Sequence, residues 1–134
     1  MKAFATWLLG TLAAFAILSG SYHTSLSDNP RKVLVIVDSS FPMEPVWHRV
    51  RERLKELDDQ RYSEFALFTE KSRIHGWESR LSPGRFTPYG PRRFDRLLGG
   101  PTSAEFSEAN TVYLLTNAPA GEIEAFGDWE IIRP

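Results

Sequence analysis

Residues 33–40 read Val33-Leu34-Val35-Ile36-Val37-Asp38-Ser39-Ser40, and the fold turns on them. A strand with one wet face alternates apolar and polar residues; this one is apolar without a break and mostly β-branched, the pattern of a strand covered on both faces at the centre of a parallel sheet. Asp38 ends it. Downstream, Met43, Val46, Trp47, Val50, Leu54 and Leu57 recur at steps of three and four, with Glu44, His48, Arg51, Glu52 and Lys55 between them. That spacing predicts an amphipathic helix. Pro42 and Pro45 suit its first turn, and Asp38, Ser39 and Ser40 offer oxygens to cap it.

Working further outward, residues 62–69, centred on Phe65-Ala66-Leu67-Phe68, predict a second strand, and Glu70-Lys71-Ser72 turns it into a hairpin partner at residues 73–77. Residues 82–101 are dense in Pro, Gly and Arg and read as a long surface loop with one short helix at residues 92–98. Thr111-Val112-Tyr113-Leu114-Leu115 is a third buried strand; a helical turn at residues 121–126 and a strand at 129–132 follow. Strands and helices that alternate in this way predict a small, Rossmann-like open α/β sheet with flanking helices.

The composition sets bounds. With 134 residues the chain has room for one domain and not for a multidomain enzyme; its net charge of −1 lacks the electrostatic footprint of a nucleic-acid binder. It contains no cysteine, which removes disulfides, thiol nucleophiles and thiolate metal sites. Neither G-x-S-x-G, G-x-x-x-x-G-K-[ST] nor G-x-G-x-x-G occurs, and His23, His48 and His75 share no ligand spacing.

At the N-terminus, Lys2 precedes an uncharged apolar run from Ala3 to Ser19. As a helix the run would be about 26 Å long, close to the ~30 Å of a bilayer's hydrocarbon core. Residues 1–20 therefore read as a signal peptide or a signal-anchor helix, with Ser19 and Ser21 placed as a peptidase site requires. Residues 21–30, rich in Ser, Thr, Asn and Asp, read as a polar linker, and residues 31–134 as the globular domain. The expected location is membrane-anchored with the domain outside the cytoplasm, or secreted or periplasmic if the leader is cleaved. The membrane and another envelope protein are the expected partners, with no nucleic acid.

In open α/β sheets the ligand crevice lies beyond the carboxyl ends of the strands. The polar residues there are Asp38-Ser39-Ser40 and Thr116-Asn117. Asp38, Ser40, Thr116 and Asn117 together offer oxygen ligands suited to Mg2+ or another divalent cation; the other reading is a helix cap and a turn. Arg85, Phe86, Tyr89, Arg92, Arg93 and Arg96 form a second candidate, a basic and aromatic partner-binding patch, since Arg pairs with carboxylates and stacks on rings. The alternative is a solvated loop stiffened by Pro88 and Pro91.

Residues 33–43, VLVIVDSSFPM, resemble the first strand and metal-site opening of a von Willebrand factor A domain, where family members carry Asp-x-Ser-x-Ser. The likeness continues through the helix with Trp47 and Val50, the strand pair around residues 65–68 and 74–77, and the strand at 112–116. Asp38 and Ser40 match the first two positions; Pro42 replaces the second serine, Asn117 stands where a later aspartate belongs, and Thr102 is one candidate for the loop threonine. The resemblance implies an adhesion or assembly module with a degenerate metal site and no catalysis. Asp38 with Thr116-Asn117 also resembles the haloacid-dehalogenase-type phosphohydrolases. That likeness implies a metal-dependent envelope hydrolase using Asp38, with Ser40 standing where the general acid should be.

Overall fold

The computed structural model describes residues 1–99 and 103–134, in two compact units, Met1–Pro30 and Arg31–Pro134. Thr102 lies outside the described residues.

The first unit is a single helix, α1 (Lys2–Asp28), none of whose residues is buried. It is long and apolar enough to cross a membrane. Helix continues through most of the segment expected as a polar linker, and its polar side chains show how. Thr24 Oγ1 donates to Gly20 O at 2.8 Å and Ser27 Oγ to His23 O at 2.9 Å, so these hydroxyls bond back to the preceding turn. Asn29 leaves the helix with φ −126° and ψ 69°. Pro30 requires that exit, because its ring crowds a helical residue before it.

The second unit contains an open α/β sheet of five strands in the order β3-β2-β1-β4-β5: β1 (Arg31–Val37), β2 (Ser63–Thr69), β3 (Arg73–Glu78), β4 (Thr111–Leu115) and β5 (Glu130–Ile132). All neighbours are parallel except the hairpin pair β2 and β3. The apolar run decides the centre, as its pattern predicts: Val33 to Val37 are each 0% exposed. Val33, Val35 and Val37 pack with Val50, Leu54 and Leu57 of α2 (Trp47–Asp58). Leu34 and Ile36 point the other way, toward Phe94 and Leu97 of α3 (Phe94–Leu98) and toward Phe126. The period of two in a strand thus feeds two cores from one stretch of sequence.

The helix predicted to begin at Met43 winds first as a 3-10 segment, Phe41–Val46, and becomes α-helical at Trp47. Pro45 inside that segment has no N–H to give to an i−4 carbonyl, so the tighter turn carries the chain to Trp47. No side chain caps it; Ser40 Oγ is turned onto Asp38 instead. The helix expected at residues 92–98 begins at Phe94, and the turn near residue 121 is α5 (Ala120–Ile123) followed by the 3-10 turn Glu124–Phe126. One short helix was not anticipated, α4 (Ala104–Glu108).

Within α4, Glu105 is 8% exposed and its Oε1 pairs with Arg73 at 2.7 Å. The Ser103 hydroxyl first, then a backbone N–H, then the Arg73 charge hold its carboxyl below the usual range. A depressed carboxyl stabilises the fold above its unfolded pKa, about 4.3, and loses that contribution as the pH falls through the lower folded value. Glu105→Gln is therefore expected to be less stable than wild type near neutral pH and to lose less on acidification. Urea denaturation at about pH 7 and about pH 3 measures both; parallel losses in the two proteins would remove Glu105 from the acid transition.

Candidate functional site at the strand ends

The topology fixes where a crevice can lie. From β1 the chain builds to β2 and β3 on one side, then crosses to β4 and β5 on the other, so the winding reverses between β1 and β4. In parallel register Val37 lies opposite Leu115 on one side and Thr69 on the other. The next residues, Asp38, Thr116 and Glu70, thus leave the sheet at one level. All three are buried.

Asp38 is 0% exposed, yet its carboxylate is fully engaged. Oδ1 accepts from the Ser40 backbone N–H at 3.0 Å and the Ser40 hydroxyl at 2.6 Å; Oδ2 accepts from the Thr116 hydroxyl at 2.7 Å and from Arg92 Nε at 2.7 Å. Arg92 reaches the same place with its other nitrogens, donating to Asn117 Oδ1 at 2.8 Å and Glu122 Oε2 at 3.0 Å. Asn117 in turn donates from Nδ2 to Pro42 O at 2.7 Å. Burial alone would lower the Arg92 pKa, but the bond and charge of Asp38, supported by Glu122, raise it overall. The guanidinium stays charged.

Asp38, Ser40, Thr116 and Asn117 do come together. Asp38 and Asn117 hold Arg92, while Ser40 and Thr116 donate to Asp38. This arginine was expected among the partner-binding residues of the loop, and the fold instead makes it the cation of the strand-end site. With the guanidinium seated, the residues do not fit a divalent metal ion. The Asp38 and Asn117 oxygens that would face the metal are taken by Arg92, and Pro42 supplies only a carbonyl that already accepts from Asn117. A dication beside a fixed positive charge would also be repelled.

Glu70 is the functional-site residue that sequence reasoning missed. Its side chain is 0% exposed and Oε2 accepts from Ser39 N at 2.8 Å and Ser39 Oγ at 3.1 Å, while Oε1 lies 2.9 Å from Lys71 Nζ. The signal was available, because Glu70 directly follows β2 as Asp38 follows β1. Lys71 extends the network: Nζ donates to the carbonyls of Ser39 and Tyr89 and lies 4.2 Å from the centre of the Tyr89 ring. Tyr89 N donates to Ser39 O at 2.7 Å and Phe41 N to Gly90 O at 3.0 Å. The loop is thereby strapped across the sheet ends by backbone bonds and by two cations, Lys71 and Arg92.

The remaining residues of the expected basic and aromatic patch separate. Arg93 pairs with Asp95 at 3.0 Å, Arg96 donates to the Lys71 carbonyl, and Tyr89 is 51% exposed. Phe86 packs edge-on against Trp47 on the α2 side. Trp77 and Phe94 belong to the opposite core, and Phe94 is buried. Comparison with protein families, curated proteins and solved structures finds no significant match to this chain.

Proposed function

We propose that the chain is an exported or membrane-anchored binding module of the cell envelope, non-catalytic, with its domain outside the cytoplasm and another envelope protein as its partner. The observation that carries the non-catalytic reading is the saturated Asp38 carboxylate. A nucleophile needs a free lone pair aimed at substrate, and both Asp38 oxygens are already paired inside the fold. A second acid is the other requirement for hydrolysis. The acids nearest to Asp38 in this network are engaged as well, Glu122 by Arg92 and Glu70 by Ser39 and Lys71, while Asp95 is held by Arg93, and among the described residues no three His, Asp or Glu side chains gather as a metal site would need. The length and apolarity of α1 support attachment to, or passage through, a membrane. The surface offered to a partner is the strapped loop and the start of the 3-10 segment bonded to it, where Tyr89 and Phe41 are 51% and 60% exposed. The Asp38-x-Ser40 pattern, in the company of a substituted second serine, is what the von Willebrand factor A resemblance contributes.

Two measurements on the full chain test this reading. Thermal unfolding with and without millimolar Mg2+, Mn2+ or Ca2+ is expected to give one unchanged midpoint, and para-nitrophenyl phosphate is expected to remain intact. A metal-raised midpoint and turnover that both disappear in Asp38→Ala would overturn the proposal and establish the metal-dependent hydrolase. Cell fractionation with protease added from outside tests location: the domain is expected to be cut in intact cells or released, and a protected cytosolic domain would refute the envelope assignment.

A further inference from the structure

A groove of about 570 Å3 lies on the α2 side of the sheet, between α2 and the segment 81–87. It has the size of a small-molecule site. Trp47, Val50 and Leu54 of the helix face Leu81 and Phe86 of the loop and give it apolar walls. Its charges are one-sided. Arg51, Lys55 and Arg85 line it and, among the described residues, none of them has an ion-pair partner. The carboxylate in the lining, Asp58, is already committed. It accepts from Leu81 N at 2.7 Å and Arg80 Nε at 2.9 Å, the latter part of an ion pair.

We infer that this groove binds a small amphipathic anion, an alkyl carboxylate whose chain lies on the apolar walls and whose head meets Arg51, Lys55 and Arg85. An extended peptide suits the walls less well. Its backbone N–H and C=O groups would lie against Val50, Leu54 and Leu81 without partners, a cost that an alkyl chain does not incur. This site is separate from the strand-end network and does not rest on the partner-binding reading.

The test is calorimetric titration of sodium decanoate into the full chain held in lipid nanodiscs, with empty nanodiscs as the blank. Saturable binding above the blank is expected. It should weaken by about tenfold in the variant Arg51→Gln/Lys55→Gln/Arg85→Gln, whose exposed substitutions leave the core intact and whose folding circular dichroism confirms. Decyltrimethylammonium, of equal chain length and opposite charge, is expected to give no heat beyond the blank. Absence of saturable binding, equal affinity in the triple variant, or equal binding of the cation would each overturn the inference.

Discussion

Arg92→Ala is expected to destabilise the domain by about 3–5 kcal/mol, the range for removing one partner of a buried ion pair. The cause is what remains behind. Asp38 is 0% exposed, Arg92 has a side chain only 14% exposed, and the Arg92 guanidinium also holds Asn117 and Glu122. Without it the carboxylate keeps the Ser40 and Thr116 donors but no neutralising charge. The loop loses one of its two cationic fastenings at the same time. Asp38→Asn should be damaging for the opposite reason, since it strands the guanidinium. Combining Asp38→Asn with Arg92→Ala removes both charges, and the double variant is expected to lie closer to wild type than the two single effects would sum to. Chemical denaturation of the set measures this. Simple additivity would mean that the two residues act independently, contrary to their 2.7 Å contact.

Glu70→Ala is the second large effect, expected at about 3 kcal/mol. The substitution leaves the Ser39 N–H without its acceptor and strands Lys71 Nζ, on a side chain only 9% exposed, with the carbonyls of Ser39 and Tyr89 as its remaining oxygen partners. Glu70→Gln keeps an oxygen for Ser39 but no charge for Lys71, so an intermediate loss is expected, about 1–2 kcal/mol. Glu70→Gln with Lys71→Met should recover part of it. Hydrogen exchange offers an independent reading: the Tyr89 amide, which donates to Ser39 O, should lose protection in Glu70→Ala before the amides of β1 do. Unchanged Tyr89 protection would show that the strap holds without Glu70.

The sheet could be read from the sequence because its signals are local. A run such as Val33 to Val37 carries its own evidence of double burial, and the residues that follow strands carry the crevice. Glu70 follows β2 as Asp38 follows β1, but Glu70-Lys71-Ser72 has the polar composition of a hairpin turn, which hides its place at the strand ends. Arg92 is a different case. Nothing in a Pro- and Gly-rich segment distinguishes one arginine from Arg85, Arg93 or Arg96, because the selection is made by residues far away in the chain, Asp38 and Asn117. Helix α4 was invisible because five residues cannot display a helical period. The helical continuation through residues 21–28 was masked by composition: Ser and Thr favour loops in general, but here their hydroxyls bond to the preceding turn.

The two borders of the sheet also matter for crowding. One border strand, β5, is only three residues long, and the other, β3, meets its neighbour with register shifts between Phe65 and Leu67 and again between Leu67 and Phe68. A short strand and an irregular one both make poor templates for addition of a strand from another molecule. Copies brought close together at high local concentration would therefore resist edge-to-edge aggregation, and contacts between them would be left to side chains.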